Sequence, residues 1–151
     1  MNNGLCNSIV GAPAKDLRLS YLTTNRPIKP NVILSCFADG NPQTSFNWAT
    51  ILTTQFPSNA YQLTMLLHGD CLKYGLANDA YLAEFGVPNP FENILISENN
   101  AGVNIVICQL CLTKDGFNDS QLLDFIIPVP FSVQYIIQQQ LLCGSIVIYD
   151  S

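Results

Sequence analysis

Four short runs of apolar, largely β-branched residues punctuate this chain, and helical patterns fill the gaps between them. Val32-Ile33-Leu34-Ser35-Cys36-Phe37, Tyr61–Leu67, Val103–Ile107 and Ser145-Ile146-Val147-Ile148-Tyr149 each read as a strand. Near-continuous apolar strands that alternate with helices belong in a parallel sheet covered on both faces. Right-handed crossovers then leave few topologies. The pattern predicts an α/β fold: a single doubly wound layer of four or five mainly parallel strands with helices on both faces.

The helical stretches carry their own signals. Phe46, Trp48, Ala49, Leu52 and Phe56 recur at helical spacing up to Pro57. Tyr81, Leu82 and Phe85 mark a short helix, and Asn89-Pro90-Phe91-Glu92 opens another with Asn89 as N-cap and Glu92 three residues on. Gly102 ends it. Further helices are predicted over Ser120–Phe125 and Phe131–Leu142; in the latter Val133, Ile136, Ile137 and Leu141 share a face, and Gly144 supplies a stop. Residues 1–30, with Pro13, Pro27 and Pro30, read as an irregular arm, within which Leu17–Leu22 alternates like an edge strand. Residues 31–151 form the α/β domain.

Charge is sparse and unevenly placed. Only 11% of residues are charged and 48% are hydrophobic. Either some apolar surface is buried between subunits, or Asn, Gln, Ser and Thr cover it. The net charge is −5, yet residues 1–30 hold Lys15, Arg18, Arg26 and Lys29 against Asp16 alone. The acidic body argues against nucleic-acid binding. No apolar run in Met1–Ser20 suits a signal peptide, and no stretch suits a membrane span. These features predict a cytoplasmic protein with reduced thiols, in which Cys36 and Cys143 act as small buried hydrophobes.

Chemistry collects beyond the carboxyl ends of strands in such sheets. Asp39-Gly40, His68-Gly69-Asp70-Cys71 and Cys108 fall there. Cys108 is the candidate nucleophile, active only as a thiolate. Cys111 is a candidate second thiol that could resolve a persulfide or sulfenic acid, and equally reads as core. His68, the single histidine, reads as a structural group or as a partner of the thiolate. Gln109 and Leu110 between the thiols, with Trp48 on another element, depart from the thioredoxin pattern. His68, Cys71, Cys108 and Cys111 could also form a structural metal site. A strand order that places the first strand between the other two would hold their ends about 10 Å apart, too wide for a tetrahedral ion. Phosphate-binding loops and a nucleophile elbow are absent from the sequence.

The ordered set of segments resembles the DsrE/DsrF-like family, which includes TusD-type sulfur-relay subunits. The matching stretches are Val32–Gly40 with Asp39-Gly40-Asn41-Pro42, Leu66-Leu67-His68-Gly69-Asp70, Leu72-Lys73-Tyr74-Gly75-Leu76, Asn89-Pro90, and Gly102-Val103 through Cys108 to Gly116. They span roughly residues 31–149. The resemblance implies a small α/β layer assembled as a homo-oligomer, a trimer or hexamer, with active cysteines near subunit interfaces. It implies a sulfurtransferase or sulfur carrier in which Cys108, six residues after Gly102, carries sulfane sulfur as a persulfide between donor and acceptor proteins. It brings no cofactor. The basic arm and Cys111 stand outside the family pattern. The alternative readings are a non-catalytic oligomeric binding or structural module of the same fold, and the metal site at His68, Cys71, Cys108 and Cys111.

Overall fold

The apolar runs become strands because β-branched side chains pack well on a pleated surface, which is buried on both sides in the three inner runs and largely exposed in the edge run Ile146–Tyr149. In the computed structural model, which describes residues 30–37 and 42–149, they are β1 (Asn31–Cys36), β2 (Gln62–Leu67), β3 (Asn104–Cys108) and β5 (Ile146–Tyr149). A short β4 (Ile127–Val129) joins them in one parallel sheet of order β4-β3-β2-β1-β5. The helices are α1 (Pro42–Thr54), α2 (Asn78–Phe85), α3 (Glu92–Asn100), α4 (Gln109–Lys114) and α5 (Ser132–Cys143), with 3-10 segments at Gly69–Gly75 and Asp119–Gln121. The basic arm, its Leu17–Leu22 strand and the Asp39-Gly40 turn lie outside the described residues.

The pleat sorts the core into two layers. Leu34, Cys36, Met65, Leu67, Ile105 and Ile107 point toward one face, where Phe46, Ala49, Leu95 and Leu112 cover them. Ile33, Leu66, Val106 and Val129 point to the other, against Tyr135 and Ile136 of α5. Each fully buried Leu or Ile contributes roughly 1.5–3 kcal/mol of hydrophobic stabilisation. No described helix is long and apolar enough to cross a membrane.

Several local expectations need correction. The middle strand of the first three is β2, not β1, so β2 and β3 are direct neighbours. The helix expected over Ser120–Phe125 is only the 3-10 turn Asp119–Gln121, closed by a capping box between Asn118 and Gln121. Leu122 then bridges Leu76 in antiparallel fashion. The unpredicted β4 contains Pro128 and sits at the sheet edge, where a missing N–H costs least. Helix α3 starts at Glu92. Asn89 Oδ1 accepts the Phe91 N–H while its amide donates to the Tyr74 and Leu76 carbonyls. Glu92 caps the neighbouring α2 instead, by accepting the Asn78 N–H at 2.7 Å.

Helix α5 is also rotated from its expected face. Val133, Ile137 and Leu141 are 48%, 50% and 78% exposed, whereas Ser132, Tyr135, Ile136, Gln139 and Cys143 are buried. The cause is polar. The sheet face below carries Asn31 and Thr64, and buried polar groups must find partners. Thr64 donates to Asn31 Oδ1, and both the Asn31 amide and the Ser145 hydroxyl donate to Gln139 Oε1. Satisfying that cluster turns Gln139 inward and the apolar stripe outward.

Candidate functional site

Two pairs of cysteines lie at the carboxyl edge of the sheet. Cys36 ends β1, and Cys71 sits in the 3-10 segment that follows β2. The β1–β2 pairing brings them together, and they form a disulfide with Cα atoms 5.7 Å apart, within the usual bridging range. Cys143 is disulfide-bonded as well. The expectation of reduced, hydrophobe-like cysteines at 36 and 143 is thereby overturned. So is the four-residue metal site, because Cys71 is engaged with Cys36. Among the described residues no cluster of three or more His, Cys, Asp or Glu could hold a metal ion.

The turn that carries Cys71 depends on Gly69. Its φ is +56°, and a Cβ there would stand 2.2 Å from the Phe37 carbonyl oxygen, so only glycine fits. The Asp70 N–H donates to that same carbonyl at 2.8 Å.

Cys108 and Cys111 are free thiols. Cys108 is the last residue of β3 and the N-cap of α4; its sulfur accepts the Cys111 N–H at 3.3 Å. The Cys111 thiol donates to the Cys108 sulfur at 2.6 Å. The Leu110 N–H donates to the Pro130 carbonyl, which ties the start of α4 to the loop that leads into Ser132.

The two thiols are driven apart in acidity. Burial pushes the Cys108 thiol up, but hydrogen bonds from the Cys111 thiol, the Ser132 and Cys111 backbone and the Ser132 hydroxyl bring it below the ordinary thiol range. Burial, the hydrogen bond to Cys108 and the charge on Cys108 push Cys111 up to about 11; the Gly69 N–H opposes this and the Asp115 charge adds to it. Of the two, Cys108 is therefore the more acidic thiol and Cys111 the less acidic.

Exposure divides the roles the other way. Cys108 is 0% exposed, whereas Cys111 is half-buried. Cys108 has polar donors around it rather than hydrocarbon alone, yet Cys111 is the member that an incoming molecule meets first. Cys111 packs against the layer containing Cys36 and Cys71. Cys108, by the alternation of β3, lies with Val106 on the side of α5.

His68 is not among the groups acting on the Cys108 sulfur. Extending the β2–β3 register by one residue places it opposite Cys108, but its imidazole turns toward β1. There Nε2 lies 2.6 Å from Ser35 Oγ, and the ring meets Phe37 edge-on at 4.9 Å. The groups that hydrogen-bond to the Cys108 sulfur belong to Cys111 and Ser132. Sequence reasoning missed Ser132; its one signal is a hydroxyl at the start of the last helical pattern.

Cavities flank the edge on both sides. Gly69, Asp70, Lys73, Glu84, Phe85 and Asp115 line one of about 330 Å³, beside the 3-10 segment and α4. His68, Phe37, Ile136, Ile137 and Gln140 line another of about 490 Å³ under α5. Both fall within the size range of small-molecule sites. A buried acid stands apart from them: Glu98 of α3 accepts from Thr50 of α1 through Oε1, while Oε2 has no hydrogen-bond partner. Burial raises its carboxyl to about 8, against a smaller lowering by Thr50.

The fold is similar to that of a protein of unknown function, MTH1491, from Methanobacterium thermoautotrophicum. The TM-score is 0.61 at 14% identity, over 80% of this chain and 98% of that one. At that identity the likeness concerns architecture alone. No protein-family model matches the chain, and no curated protein matches it.

Proposed function

We propose that this protein handles sulfane sulfur at the Cys108–Cys111 pair, with Cys111 as the point of uptake and Cys108 as its base. The observation that carries the reading is the contact, at 2.6 Å, between the sulfur of the partly buried Cys111 and that of the buried Cys108. A thiol is nucleophilic only once deprotonated, and here the acceptor of that proton is already in contact.

In the uptake step the Cys111 sulfur attacks the outer sulfur of a donor persulfide, R–S–SH. The donor S–S bond breaks, R–S⁻ leaves, and the Cys111 proton passes to Cys108. The product is a persulfide on Cys111. An acceptor thiolate then takes the outer sulfur, and Cys108 returns the proton to the Cys111 thiolate. A side path is open when no acceptor arrives. Cys108, once deprotonated, attacks the inner sulfur, expels HS⁻ and leaves a Cys108–Cys111 disulfide. This assignment moves the persulfide from Cys108, where the DsrE/DsrF-like resemblance puts it, to Cys111, because Cys108 has no exposed surface.

Mass spectrometry after incubation with a persulfide donor tests the reading. The expected result is a gain of one sulfur atom, mapped to the Cys111 peptide, absent in Cys111→Ser and retained in Cys108→Ser. Failure of the wild-type protein to gain sulfur overturns the proposal. A gain that persists in Cys111→Ser and disappears in Cys108→Ser returns the carrier role to Cys108.

A further inference from the structure

Cys143 is disulfide-bonded, and elimination identifies its partner. Of the six cysteines in the chain, Cys36 and Cys71 are joined to each other, and Cys108 and Cys111 are free. Only Cys6 remains. Cys143 closes α5, and Ser145 follows it into β5. Asn31, through which the N-terminal arm enters β1, meets the chain at the same place. Its backbone N–H donates to the Ser145 hydroxyl at 3.3 Å, and its side-chain amide and that hydroxyl both donate to Gln139 Oε1. A Cys6–Cys143 bond therefore brings both ends of the segment between Cys6 and Asn31 to the junction of α5 and β5.

The surface around that junction is apolar. Ile137 and Leu141 of α5 are exposed, as is Ile146 of β5, and neither element carries a charged residue. The arm supplies matching side chains in Ile9, Val10, Leu17, Leu19, Tyr21 and Leu22. Contiguous apolar surface of this kind marks a contact site. We infer that Cys6 is joined to Cys143 and that the N-terminal arm is thereby latched over Ile137, Leu141 and Ile146. The occupant is the chain's own arm because both of its attachment points stand beside the patch. The latch is reducible. With a phosphine, phosphorus takes an oxygen atom from water, the S–S bond takes up two electrons and two protons, and thiols return at Cys6 and Cys143.

Peptide mapping of the whole chain without reductant tests the bond. The expected result is a Cys6–Cys143 cross-link beside Cys36–Cys71, and a free, alkylatable Cys143 in Cys6→Ser. A wild-type Cys143 that is free, or bonded to any other cysteine, overturns the inference. Trypsin tests the cover. It cuts the arm only after Lys15 and Arg18, because Pro27 and Pro30 follow Arg26 and Lys29. Cutting should be about tenfold faster in Cys6→Ser than in the oxidised wild type, since cleavage follows the population of the open form. Leu141→Asp, at an exposed position, should also speed it while the cross-link stays intact, which separates cover from tether. Equal cutting rates in all three proteins overturn the cover. A wild-type dimer that dissociates in Leu141→Asp puts a second copy on the patch and overturns it as well.

Discussion

Cys36–Cys71 and Cys108/Cys111 are two cysteine pairs at one edge of one sheet, and they have opposite characters. The first is a disulfide whose members are buried among Leu34, Met65, Leu67 and Leu72. The second is an unbonded pair in which one sulfur caps a helix and collects donors from Cys111 and Ser132. Both strands end at their cysteine, and the face each sulfur takes decides this. Cys36 points into the layer under α1 and meets a partner brought by the adjacent strand. Cys108 points to the other layer, where the chain turns at once into α4 and offers backbone N–H groups. A cysteine at a strand end is thus bridged or left free according to the face it takes and what the chain does next.

The largest effect expected from attacking this contrast is on stability. Replacing Cys36 and Cys71 together by Ala removes a cross-link spanning 35 residues and should cost about 3–4 kcal/mol in urea unfolding. Replacing Cys108 and Cys111 by Ala should cost roughly 1–2 kcal/mol. Equal costs would erase the distinction between a structural and a functional pair.

Gly69→Ala comes next, because Gly69 serves both pairs. It shapes the turn that carries Cys71, and its N–H reaches Cys111. The substitution should destabilise by about 1–3 kcal/mol and also change the alkylation rate of Cys111 by iodoacetamide. An unchanged rate in the folded variant would separate the pairs mechanically.

Glu98 sets a pH dependence that must be removed before the thiols are titrated. Its folded value of about 8 exceeds the ordinary 4.5, so the unfolded chain gives up the proton first. The Glu98 contribution to stability is therefore greatest below pH 4.5, falls as pH rises toward 8 and levels off above it. Glu98→Gln should flatten that slope and raise stability at pH 8 relative to pH 5 by on the order of 1 kcal/mol. Urea midpoints at both pH values check this.

An effect of similar size sharpens the contrast within the free pair. Native alkylation of Cys111 should keep rising beyond pH 9, toward its value of about 11. Cys108→Ser removes the hydrogen-bonding sulfur and its charge. It should move that midpoint down by about one unit, equivalent to roughly 1.4 kcal/mol.

Much of the scaffold was legible because burial on both faces writes long apolar runs into the sequence. β1, β2 and β3 announce themselves this way; β5 shows the same β-branched composition although, as an edge strand, it stays largely exposed. β4 does not: three residues with a central proline carry almost no periodic signal. Strand order was hidden too, since nothing in the crossovers says which neighbour a strand takes. That error alone placed His68 too far from Cys108. The rotation of α5 was unreadable without knowing that Asn31 and Thr64 lie beneath Gln139. Of the site, the sequence marked Cys108 and Cys111 but not their unequal exposure. It gave no hint that Cys36 finds Cys71, because pairing depends on adjacency in space.

The peptide groups at Gly69 and Asp70 look in two directions. One N–H holds the Phe37 carbonyl, at the exit of β1, and the other holds the sulfur of Cys111, beyond β3. The turn thereby ties together the exits of two strands that are not neighbours in the sheet: one dipeptide holds both the Phe37 carbonyl and a sulfhydryl two ladders away.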